Sequence, residues 1–141
     1  MAGLLDFEVS GLTMLQHDIK MAGEIPFDVL SDMLDAKAKV TEETLVYTAA
    51  TMLDGEYSDG DIVRSIKRTK ARKTKKYPVV YVRFTGKQHG NRNAEVAFIN
   101  EYGKKKQPAR PFIKTAINGS EERAANAARK VLDEYLRKKK L

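Results

Sequence analysis

Apolar residues open the chain in a loosely helical rhythm, Leu4, Leu5, Phe7, Leu12, Met14, Leu15 and Ile19, interrupted by Gly11, and predict a short helix over about 10–21. Ala22 to Ile25 breaks the pattern, and Pro26 stands where a helix tolerates a residue without an N–H, at its first position. Phe27, Leu30, Leu34, Ala38, Leu45, Ala49 and Met52 then recur at spacings that place them on one face, predicting a helix over 26–54. Asp54-Gly55 supplies its stop signal. Such a helix would be about 43 Å long at the usual rise, which leaves room for a kink near Val40-Thr41.

Beyond the polar turn 55–60 the rhythm changes. Residues 62–70 read as one helical turn passing into a strand, and Tyr77 to Thr85 alternates as a strand does, with Val80, Val82 and Phe84 on one side. Ala94 to Asn100 alternates as well, Val96 and Phe98 against Ala97 and Ile99, and is predicted to be the partner strand. The polar stretch TGKQHGNRN between them reads as the hairpin connection. Ala124, Ala125, Ala128, Val131, Leu132, Tyr135 and Leu136 form the apolar stripe of a last helix over 120–139. Ser120 is its expected N-cap, followed by Glu121 and Glu122 at the positive end of the helix dipole. The expected fold is α+β: a long N-terminal helix and a C-terminal amphipathic helix packed on a small antiparallel sheet. It is read as one domain over 1–141, with 1–25 as an arm or short helix; no internal repeat or sustained heptad run is present.

The 141 residues suffice for one core, and the lack of cysteine removes disulfides and thiolate metal sites. No signal-peptide pattern begins the chain, and no apolar run approaches the roughly 20 residues that span a bilayer, so a soluble, unprocessed protein is expected. Net charge is +7, unevenly placed: positions 1–61 carry −10 and positions 62–141 carry +17. This polarity suits head-to-tail contact between copies as well as contact with nucleic acid.

Catalytic chemistry finds little to stand on. His17 and His89 lie far apart in sequence, with no nucleophile elbow, phosphate loop or zinc-binding helix near either. Asp54, Glu56, Asp59 and Asp61 cluster at a turn without the spacing of a calcium loop. No enzyme activity, metal or cofactor is therefore expected. The run KRTKARKTKK has seven basic residues in ten, Lys67, Arg68, Lys70, Arg72, Lys73, Lys75 and Lys76, with no aromatic inside it. It can hold phosphates without reading bases, or it can be a solvated strand edge whose lysines discourage aggregation.

The stretch NEYGKKKQPARPFIKTAI combines these features. Pro108 and Pro111 hold Gln107 and Arg110 out of helical geometry, so the segment reads as a stiff joint between the sheet and the last helix. Lys104, Lys105 and Lys106 belong on a surface turn. Arg110 is expected to pair with a carboxylate, Glu101 being nearest and the acidic turn 54–61 the alternative.

Glu101-Tyr102-Gly103, followed by Ala109-Arg110-Pro111-Phe112 and Ala116, resembles the C-terminal signature of the tail-component family typified by the tenth gene product of a lambdoid tailed phage. Upstream, DGDIVRSI is similar to that family's Thr-Gly-x-Leu-x-x-Ser-Ile element at Gly60, Ser65 and Ile66; Asp59 and Ile62 replace its Thr and Leu, and the preceding Ala-Pro is missing. The resemblance covers roughly residues 27–136 and makes 26–141 the family core. It implies a virion structural protein, made in the host bacterial cytoplasm and placed at the neck or tail end of the head-tail junction. The implied partners are copies of itself in a ring of about six or about twelve subunits, the phage connector and tail proteins, and DNA passing nonspecifically through the channel. Glu101, Gly103, Arg110, Pro111 and Phe112 would form the structural joint; the lysines and arginines of 67–76 and Lys104 to Lys106 are candidates for an interface or for the DNA channel. A nonspecific nucleic-acid-binding module using the run 67–76 is the alternative.

Overall fold

A computed structural model describes residues 7–8, 25–53, 60–73 and 78–139. The expected helix 10–21, the stop signal Asp54-Gly55 and His17 lie outside these residues.

Helix α1, Phe27–Met52, follows the apolar spacing closely and runs through Val40 and Thr41 as a single element. Met33, Leu34, Ala38, Leu45 and Ala49 are buried on one face, with Thr41 among them. Thr41 can sit there because its hydroxyl donates to the Lys37 carbonyl one turn back. Helix α2, Asp61–Ser65, is the expected single turn, and Gly60 enters it at φ 78°. The chain then straightens into β2, Ile66–Arg68, and β3, Arg72–Lys73.

The predicted strand 77–85 is present in two pieces, β4, Pro78–Val79, and β5, Tyr81–Phe84. Its partner is not the one expected. β5 pairs antiparallel with β2, Ile66 opposite Phe84, and on its other side with β1, Phe7–Glu8. β4 pairs with β3, Arg72 opposite Val79. The basic run and the Val-rich strand are thus the two arms of one interrupted hairpin. At the interruption, Thr69 donates its N–H to the Tyr81 carbonyl, and its hydroxyl accepts from the Tyr81 N–H.

The segment expected as the partner strand, 94–100, is instead helix α3, Asn93–Tyr102. Its buried positions, Asn93, Ala94, Ala97, Asn100 and Glu101, repeat with helical spacing. Short alternation of Val96, Ala97, Phe98 and Ile99 fits either period, and the small alanines let the helix lie close to the hairpin. The stretch expected to connect two long strands forms its own small hairpin, β6, Lys87–Gln88, with β7, Asn91–Arg92. His89 and Gly90 both have positive φ, 51° and 81°, as a two-residue hairpin turn of type I′ requires.

Helix α4, Phe112–Lys139, begins eight residues before the expected N-cap. Ser120 is not a cap: it is buried within the helix, its hydroxyl turned back to the Ile117 carbonyl. The expected stripe holds, with Ala124, Ala128 and Leu132 buried. Among the described residues helices α1 and α4 make the most extensive contact, and they pack together over the small antiparallel sheets. Phe112, fully buried, meets Phe84 of β5 edge to face at 5.9 Å and ties the start of α4 to the sheet.

Candidate functional site

Most of the residues singled out in the sequence fall in two regions: the joint between α3 and α4, and the basic arm of the hairpin. In the joint, α3 ends because Gly103 adopts φ 78°, ψ 176°, a conformation only glycine reaches without strain, while its N–H closes on the Ile99 carbonyl. A side chain is also excluded by space. A Cβ there would lie 2.8 Å from the Gln107 carbonyl oxygen and 2.8 Å from the Ala109 nitrogen, both backbone atoms.

The chain next folds into a tight turn in which Lys104 and Gln107 exchange both backbone hydrogen bonds, leaving Lys104, Lys105 and Lys106 exposed as expected. It returns along the end of α3, where the Arg110 N–H donates to the Asn100 carbonyl at 2.6 Å. The Arg110 guanidinium does not reach Glu101. It donates from Nη2 to Asn100 Oδ1 at 2.7 Å, and Gln107 Nε2 reaches the same oxygen at 3.3 Å. Asn100 is held for this task by its own amide, which donates to the Val96 carbonyl.

Glu101 is occupied elsewhere. Its buried carboxylate accepts the Ile113 N–H at 2.7 Å through Oε1 and the Lys114 N–H at 3.3 Å through Oε2. These are two of the four N–H groups that the start of a helix leaves without partners. The cap of α4 therefore comes from another helix, twelve residues upstream, and brings a negative charge to the positive end of the dipole. Pro111 fits just ahead of the first turn, its carbonyl accepting from the Thr115 N–H. Glu101, Gly103, Arg110, Pro111 and Phe112 are thus brought into one joint, as expected, with Arg110 and Glu101 acting on different partners. Asn100 was missed; the signal was a polar Asn-Glu doublet closing an apolar run.

The basic arm is less uniform than its sequence. Lys67, Lys70, Arg72 and Lys73 are exposed, whereas Lys75 and Lys76 lie outside the described residues. Arg68 turns onto α1, where its guanidinium lies 3.5 Å from Glu42 and 3.9 Å from Asp35 and also donates to the Asp35 carbonyl at 3.2 Å. It fastens β2 to α1 and is committed to these carboxylates. Lys73 stands 5.8 Å over the ring of Phe27 at the start of α1. Lys37, half-buried on α1, has its pKa pushed down by loss of solvent, which Glu121 partly opposes.

Of the acidic turn, only Asp61 is described; it pairs with Arg64 one turn along α2. His89 sits exposed in the β6–β7 turn. Among the described residues no group of three His, Cys, Asp or Glu side chains is placed to hold a metal, and no helix is long and apolar enough to cross a membrane. No family model, curated protein or solved structure matches this chain.

Proposed function

We propose that the protein is a virion structural component of a tailed phage or prophage: a neck or tail-completion subunit that forms a ring joining the head connector to the tail around the DNA channel. The observation carrying this reading is the α3–α4 joint. The residues of the resemblance, Glu101, Gly103, Arg110, Pro111 and Phe112, meet in one place, and each has a mechanical task there: cap, turn, clamp, entry and anchor. Such a constellation fixes the angle between two helices, which a subunit repeated around an axis needs.

The test is the copy number in purified particles, by quantitative mass spectrometry against the connector. About six or about twelve copies are expected for a closed ring; one or two copies, or none, would rule it out. The exposed Lys67, Lys70, Arg72 and Lys73 favour a second reading, a module that grips nucleic-acid phosphates without reading sequence. That reading expects DNA affinity in the isolated protein that falls steeply with salt and is lost when these four are reversed in charge.

A further inference from the structure

Phe98 and Tyr102 lie one turn apart on α3, and their rings are in tilted contact, centroids 4.8 Å apart and planes at 48°. Both face water: Phe98 is 39% exposed and Tyr102 65%. A core role would bury them, and no cation of the described residues covers either ring. Directly after Tyr102, Gly103 turns the chain and presents Lys104, Lys105 and Lys106, with Lys114 exposed on the first turn of α4 that Glu101 caps. No carboxylate of the described residues lies within ion-pair distance of these four lysines. The nearby Glu101 is buried and occupied by backbone N–H groups.

We infer that this patch binds single-stranded nucleic acid, with a base stacked on Tyr102 and the flanking phosphates held by Lys104, Lys105, Lys106 and Lys114. The chemistry selects the ligand. Four ammonium groups with no carboxylate of the described residues at ion-pair distance call for a polyanion, and the exposed aromatic pair next to them in the chain calls for planar groups on it, which an unpaired strand displays and a duplex keeps stacked inside. Phe98 is in contact with the Tyr102 ring, and a side chain already held by a neighbour loses less freedom on binding. Aromatic residues are also enriched in protein interfaces, but lysine is depleted there, and four exposed lysines accompany this pair. The site is separate from the basic arm 67–73, which among the described residues has phosphate-binding charge but no aromatic pair within it, and it does not depend on the ring proposal.

The test is fluorescence anisotropy of the full chain with labelled oligothymidine and with a duplex of equal length. Tyr102→Ala is expected to weaken single-strand binding about 5- to 100-fold and to leave duplex binding unchanged. Tyr102→Phe should retain affinity, and Tyr47→Ala, which removes a more exposed tyrosine from α1, should have no effect. Changing Lys104, Lys105 and Lys106 together to Gln should flatten the single-strand salt slope by about 2, at about 0.7 per phosphate. All the altered side chains are exposed, and circular dichroism melts would confirm that each variant is folded. The inference is overturned if Tyr102→Ala leaves single-strand affinity intact, if it weakens duplex binding equally, or if the patch binds an acidic peptide and not the oligonucleotide.

Discussion

Replacing Glu101 tests the joint most directly, because one side chain there closes the start of a 28-residue helix. Glu101→Ala removes both acceptors and leaves the Ile113 and Lys114 N–H groups without partners in a region where Ile113 is itself buried. Losing a cap costs about 1 kcal/mol, losing a partly buried charge at a helix N-terminus up to about 2, and orphaning a buried donor about 1–3. These overlap, since they describe the same two hydrogen bonds, so the expected loss is about 2–3 kcal/mol. For a chain of this length that is a fall in Tm of about 6–12 °C. Glu101→Gln keeps one carbonyl for Ile113 but loses the charge, and about 1 kcal/mol is expected. Urea unfolding gives the free energies, and hydrogen exchange locates them: the Ile113 and Lys114 amides should lose protection before those near Leu132. A Glu101→Ala protein within about 0.5 kcal/mol of wild type, or a Gln variant as unstable as the Ala variant, would refute the charged cap.

Gly103→Ala should be among the most damaging single changes, about 3 kcal/mol or more from backbone strain and the two contacts at 2.8 Å; Gly90→Ala, with open space around its Cβ, should cost about 1 kcal/mol, and thermal melts of the pair compare them. Arg110→Lys loses the planar donor to Asn100 and should lower stability by about 1 kcal/mol in urea while leaving DNA affinity unchanged. Lys37 has a lower pKa folded than unfolded, so between that depressed value and about 10.4 the unfolded chain holds the extra proton and stability rises with pH. Lys37→Met should lack this increment; a difference between the two proteins that is flat or falls with pH in that window would contradict it.

Elements whose signal is local were legible in the sequence. The stripe of α1 is long and strictly spaced, so its observed bounds fall within two residues of the expected ones, and the passage from α2 to β2 at Ile66 was marked by a change of period. The failures share a cause, which is that the deciding interaction lies elsewhere in the chain. Residues 112–120 contain Asn118-Gly119-Ser120, a local invitation to start a helix late, whereas a carboxylate on α3 and the burial of Phe112 set the start at Phe112. Residues 94–100 satisfy two periods at once, and burial against the hairpin selects the helical one. The joint was legible as a set of residues, but the pairing inside it was not: Arg110 and Glu101 have opposite charges and neighbouring positions, yet backbone N–H groups and an amide oxygen claim them first. Arg68 is the same case within the basic run, since nothing in KRTKARKTKK distinguishes the residue that pairs with the carboxylates of α1.

The Arg68 contact with Asp35 and Glu42 also changes what the uneven charge of the chain can do. The hairpin lays positive positions along the acidic helix, so opposite signs from the two halves of the sequence meet inside one molecule, at side-chain distances. Beyond about 8 Å at physiological salt such local pairs are screened, and an approaching copy meets a body of net charge +7. Two copies therefore repel at long range, and self-association should strengthen as salt is raised, the reverse of head-to-tail charge pairing. Nucleic acid has the opposite dependence, so ionic strength sets which partner the protein meets first: the polyanion in dilute buffer, its own copies in concentrated salt.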